Sequence, residues 1–249
     1  MNIYAFAPIA AALNVVYEFL QGLADALFPL AGANAAALAI VALTILVRLL
    51  LIPVGLSQAR AQHTRERLAP HLLELRRRHG ADKERLQRET LGLYKTEGAS
   101  PLAGCLPLLL QAPVLSVIYG LFVLPVISGH PNELLGHTVF GSALGSSPAA
   151  LIVQGGSALG IAVPAVLLIA TSLVVLLSRW WMLRVAPTLV APTTTLRALS
   201  WLPLITVVFA AIVPLAAALY LGVSAIWSLI ERMLLRRWVH RHGSRPTPT

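Results

Sequence analysis

Charge is what this sequence is short of. Of 249 residues, only 12% are Asp, Glu, Lys or Arg, about half the ~25% of a soluble domain. So few charges cannot cover the surface of a water-soluble globule of this size, which argues against a soluble enzyme. A hydrophobic content of 57% excludes a disordered chain. Cysteine is nearly absent as well: the single Cys105 rules out an internal disulfide and a cysteine-rich metal site. Catalytic motifs are missing, with no H-E-x-x-H, no Gly-rich phosphate loop and no intramembrane Asp pair. His63, His71, His79, His130, His137, His240 and His242 fall in loops or tails and share no metal-ligand spacing. The expectation is therefore no enzyme, no metal and no cofactor. The N-terminus lacks the basic residues that open a standard signal peptide.

Basic residues are missing from two long stretches, residues 1–47 and 96–178. The net charge is +9 and the mean hydropathy +0.77. In a soluble protein that excess would suggest a nucleic-acid partner, but here placement decides. Apart from Arg48, the 19 Lys and Arg residues form three clusters between apolar stretches, the pattern of a polytopic membrane protein.

A bilayer core of ~30 Å needs about 20 apolar residues of helix. By that measure the chain is an all-α membrane protein with five spans. The expected division is an N-terminal amphipathic helix on the outer face (1–32), a first span (33–56), a cytosolic antiparallel helical hairpin (57–100), a second span (101–128), an outer loop (129–157), a third span (158–178), a cytosolic loop (179–199), a short fourth span (200–213), a fifth span (214–236) and a basic cytosolic tail (237–249). Pro214 separates the last two spans, because a proline opens a helix far more readily than it continues one. Five spans put all three basic clusters on one side and leave only Glu18, Asp25 and Glu133 on the other. The positive-inside rule then sets the N-terminus outside and the C-terminus in the cytoplasm of a bacterial cell.

Asn14, Glu18, Gln21 and Asp25 share one helical face, which suits a segment lying in the outer interface; the alternative is a sixth span with two buried acids. In the hairpin, Leu68, Leu72 and Leu75 mark one helical face, Gly80 is a stop and Asp82 caps a second helix from Lys83 to Thr96. The hairpin reads either as a solvated spacer or as a docking arm for something acidic or for a nascent chain.

Arg48 is the most informative residue. A charge near mid-bilayer costs roughly 2.5–3.5 kcal/mol. Arg48 lies roughly 12 Å from the cytosolic end of its expected span, beyond the reach of simple snorkelling. The only acid near any span is Glu231, at the inner end of the last one, so no carboxylate is expected at matching depth. An unpaired arginine implies a hydrated cavity opening toward the basic side. Gln111, Ser116 and Tyr119 on the second span, Thr171 and Ser172 on the third, and Tyr220, Ser224, Trp227 and Ser228 on the last are its candidate lining. Taken singly, each also reads as a helix-packing residue.

The run Ser100-Pro-Leu-Ala-Gly-Cys-Leu-Pro-Leu-Leu-Leu-Gln-Ala-Pro113 resembles the opening of the second core span in the YidC/Oxa family of membrane protein insertases. Leu91-Gly-Leu-Tyr-Lys-Thr-Glu-Gly98 is similar to the end of that family's first cytosolic region, and Val47-Arg48-Leu49 with Pro53 is similar to its first core span. Pro203, then Pro214 with Leu219-Tyr220, resemble the closing helical pair. The likeness covers residues 35–237. It implies a non-enzymatic protein that inserts and helps fold hydrophobic membrane-protein substrates in the lipid bilayer, alone or beside the Sec translocon. It implies a hydrophilic groove closed outward, in which Arg48 attracts the acidic segment of a substrate. The hairpin would capture substrate, the basic hairpin and tail could reach a ribosome, and no large outer domain is expected. The sequence departs from the family at Thr171-Ser172, where a Gln is frequent, and at Glu231, where another Gln is common. The competing expectations are a small transporter or channel with Arg48 as an anion site, and an assembly scaffold without insertase activity.

Overall fold

Pro53 decides where the first apolar helix stops. A computed structural model describes residues 6–80, 82–97, 106–127, 129–154, 157–185 and 201–242. In it, helix α2 (Ala35–Leu50) ends at Leu51, and α3 (Ile52–His79) starts afresh with the proline in its first turn. The ring carries no N–H and has a helical φ, so it fits a first turn and breaks a helix interior. The helix therefore ends before residue 56, and Arg48 stands in the last turn of α2.

The protein is predominantly helical. Ahead of α2 lies α1 (Ala7–Ala31), separated from it by Gly32 at φ 52° and a 3₁₀ turn, Gly32–Asn34. Beyond α3 come α4 (Lys83–Thr96) and α5 (Leu106–Val123). Two small hairpins follow: β1 (Val126–Ile127) pairs antiparallel with β2 (His130–Pro131), and β3 (Thr138–Val139) with β4 (Ser142–Ala143). The chain closes with α6 (Pro148–Gln154), α7 (Ala158–Val185), α8 (Ile205–Ile212) and α9 (Leu215–His242). Among the described residues, three stretches are long and apolar enough to cross a bilayer: Ala7–Leu50, Ala158–Arg184 and Leu215–Val239. Val166, Ile169, Leu173 and Leu177 of α7 and Val208, Phe209 and Ile212 of α8 are exposed, an apolar surface that belongs in lipid rather than water.

Helix α9 is the centre of the assembly and packs on α2, α7, α3, α8 and α5. Its first two turns, with Leu215, Ala216, Ala217 and Tyr220, join the apolar core. Ile40 and Leu43 of α2, Leu121 and Phe122 of α5, and Leu20 of α1 complete it. Small alanines on α2 and α9 let the helices approach closely. The loop after α5 folds into this same core: Ile127, Leu134, Val139 and Leu144 are buried in it. Its carbonyls at Leu144 and Ser146 accept the N–H groups of Ala216 and Leu215, satisfying donors that the start of α9 would otherwise leave open.

Helix α1 presents three faces. Leu13, Leu20 and Ala24 are buried against the core, while Val15, Phe19 and Leu30 are exposed and apolar. Asn14, Glu18, Gln21 and Asp25 form the third face, and at 3.6 residues per turn the three lie about 120° apart. The middle of α1 meets the same loop as the start of α2: the Tyr17 hydroxyl accepts the Glu133 N–H at 3.1 Å, and Asn34 accepts the Phe140 N–H at 2.8 Å.

Helices α3 and α4 are in contact and are tied by an Arg67–Glu97 ion pair. Asp82 caps α4 by accepting the Arg85 N–H at 2.9 Å. Asp82→Ala should cost about 1 kcal/mol of local helix stability. Hydrogen exchange of the first turn of α4 should rise accordingly while α7 stays unchanged.

A polar cavity beneath an apolar seal

On α9 the character of the helix changes after Tyr220. Ser224, Ser228, Glu231, Arg232, Leu235 and Arg236 follow at helical spacing and turn toward two adjoining cavities. The larger, of about 340 Å³, lies between the α2–α3 junction and the inner half of α9, and includes Arg48, Gln58, Gln62, Glu66, Glu231 and Arg236 in its wall. The smaller, of about 230 Å³, lies toward α7 and α8 and adds Ser178, Arg179, Thr206 and Ser224. Arg48, Ser228 and Arg232 line both. The Arg48 Nε and Ser224 Oγ are buried and have no hydrogen-bond partner among the described residues. Buried donors of this kind are satisfied by water or by a ligand.

Along α2 the polar lining gives way to apolar packing. One turn before Arg48, Thr44 donates back to the Ile40 carbonyl at 2.7 Å, and Leu43 and Ile40 belong to the apolar core. At the inner end, Arg236 pairs with Glu66 at 3.1 Å, and Gln62 donates to the same carboxylate at 3.2 Å. This contact ties α3 to α9. Four arginine–tryptophan stacks surround that level: Arg179 over Trp201 at 3.7 Å, Arg184 over Trp180 at 4.2 Å, Arg236 over Trp181 at 5.7 Å and Arg60 over Trp238 at 5.8 Å. Such pairs combine a cation–π contact with the preference of Trp for a membrane–water boundary.

The candidate lining residues are not all brought together. Arg48, Ser224 and Ser228 line the cavities. The Trp227 indole N–H is buried one turn before Glu231. Thr171 and Ser172 donate to the Leu167 and Leu168 carbonyls at 2.8 and 2.7 Å, so their hydroxyls serve their own helix. Thr171 packs instead against Gly222 of α9, where an added Cβ would come within 3.0 Å of its Oγ1. Tyr220 is buried beside Phe122, with ring centroids 6.1 Å apart. Tyr119 is 49% exposed, and Ser116 is half-buried on α5. Residues 98–105 and the Gln111 side chain lie outside the described residues, as do residues 186–200 and 243–249 of the basic loop and tail.

One expectation is corrected. Glu231 lines the same cavity as Arg48, so an acid does stand at the arginine's level. The early break at Leu51 brings Arg48 toward the inner end, while α9 runs on unbroken to meet it. The signal was present in the sequence as the 224, 228, 231, 235 stripe on one face of the last helix.

An apolar core joined to a polar, arginine-bearing cavity, in a chain with three stretches long and apolar enough to cross a bilayer among the described residues, is the build of a membrane protein. The chain belongs to the 60Kd inner membrane protein family, the YidC/Oxa1/Alb3 group, whose family model matches residues 28–242. It is similar to the membrane protein insertase YidC of Clostridium perfringens, 31% identical over 115 residues, 46% of this chain and 48% of that one. Its likeness to the insertase YidC of Actinobacillus succinogenes is 31% over 206 residues, 83% of this chain and 34% of the relative. With that of Cellvibrio japonicus it is 44% identical over 82 residues, 33% of this chain and 15% of the relative. The chain thus spans half or less of the length of these relatives.

Proposed function

We propose that this protein is a membrane protein insertase, which receives hydrophobic clients in the Arg48 cavity and releases their helices into lipid. The observation that carries this reading is a buried Arg48 donor without a hydrogen-bond partner among the described residues, in a polar cavity under a core of Leu, Ile, Phe and Ala. A client segment with acidic residues finds a cation part-way across the bilayer, so the remaining distance to cross is short. The client's apolar helix has the exposed faces of α7 and α8 to slide along.

In this reading five segments cross the bilayer, with α1 in the outer interface, and the N-terminus is outside and the C-terminus in the cytoplasm. The three faces of α1 support its position: core, water and lipid each get one. The ring of Arg–Trp stacks supports an inner boundary at the ends of α7 and α9 and the starts of α3 and α8. The pair α3–α4, basic on its outer faces, is a capture arm, with the Sec translocon and the ribosome as prospective partners. A channel would need a polar path through the outer core, and the buried Leu121, Phe122 and Leu144 stand against one.

The test is reconstitution. Liposomes holding only this chain should render the outward segment of a single-span client protease-resistant, well above protein-free liposomes. Client association without protection would instead indicate a scaffold.

A further inference from the structure

Glu231 occupies a place made for it. Its carboxylate packs directly on the backbone of Gly55 in the first turn of α3, where an added Cβ would stand 1.8 Å from Oε1 and 2.9 Å from Cδ. A side chain at position 55 would push the Glu231 carboxylate out of this position. Here the acid shares the cavity with Arg48 and Arg232, yet neither Arg48 nor Glu231 closes an ion pair within 4.0 Å among the described residues. A closed pair would leave nothing for a client to bind, and two cations with no acid would attract any anion strongly. The open arrangement lies between these limits.

We propose that Glu231 is a built-in counter-anion of the cavity and determines its specificity: an acidic client segment must outcompete it for Arg48. Glu231 thereby sets how acidic a segment has to be for acceptance. This rests on the insertase reading and adds to it a threshold on the client's charge. The physical basis is that Glu231 offsets part of the field of Arg48 and Arg232, so a single carboxylate gains too little attraction for acceptance, while a segment with several acids sums enough attraction to be accepted with or without that offset.

The experiment uses proteoliposomes of the full chain and a single-span client whose outward segment carries none, one or three Asp residues. Glu231→Gln keeps shape and removes charge. Insertion of the one-Asp client should rise about threefold, while the three-Asp client changes little. An unchanged midpoint of thermal unfolding for the same preparation shows that the variant is folded. In the Arg48→Ala background the gain should disappear. An unchanged ratio between the one-Asp and three-Asp clients would overturn the threshold role, as would a gain that persists without Arg48. If Arg48→Ala alone altered no client, the cavity's part in insertion would fail, and the proposal with it.

Discussion

Arg48→Ala is expected to lower insertion of a client with an acidic outward segment by roughly ten- to hundredfold, while the same client with those acids changed to Asn and Gln loses little. The size follows from the surroundings of the residue. At an effective dielectric of about 20, a cation and an anion 4 Å apart attract by about 4 kcal/mol. Desolvation of the client's carboxylate opposes this, and a charge-assisted hydrogen bond retains about 1.5–3 kcal/mol, each 1.4 kcal/mol being about a factor of ten. Arg48 can deliver this energy because its Nε has no hydrogen-bond partner among the described residues, so the client's carboxylate displaces no hydrogen bond seen there. Arg48→Lys should fall between the two, keeping the charge and losing the planar fork. Protease protection of the outward segment in proteoliposomes is the measurement. Equal losses for acidic and neutral clients would show that Arg48 acts through the fold and not through charge.

What could be read from the sequence were properties that a short stretch carries by itself. Apolar length, the break at Pro214, the cap at Asp82 and the isolation of Arg48 all belong to that kind. Helix phase and long-range register do not. Thr171 and Ser172 are polar wherever they face, but only the folded helix shows their hydroxyls turned back to Leu167 and Leu168. Tyr220 has an aromatic body that packs equally well in a core, and it does so against Phe122. Counting back from residue 56 sets Arg48 too far from Glu231, because the count misses the helix break at Leu51. Gly55 carried no local signal at all, since its lack of a side chain matters only once α9 lies against it.

The same limit hid the packing of the loop after α5 into the apolar core, and one residue of that loop supplies the other large effect. Asn132 is buried, and its amide donates to the Leu121 carbonyl at 2.8 Å and the Leu124 carbonyl at 2.9 Å. Both carbonyls sit at the end of α5, where the helix provides no further N–H groups. Asn132→Ala would remove two hydrogen bonds and leave two acceptors open, at about 2–4 kcal/mol. Asn132→Asp should be worse despite its matching shape, because a carboxylate meets those carbonyls with oxygen and no donor. The loop that Asn132 anchors contributes Leu134 and Leu144 to the outer core, so its loosening should unseal the cavity from outside as well as lower the midpoint of thermal unfolding. A cysteine placed at Ser228, on the cavity wall, would report the change. In a Cys105→Ser background a membrane-impermeant thiol reagent added outside should leave it unlabelled, and with Asn132→Ala labelling should appear. Persistent protection together with a lowered midpoint would assign Asn132 to stability alone and place the barrier deeper, among Ile40, Leu43 and Phe122.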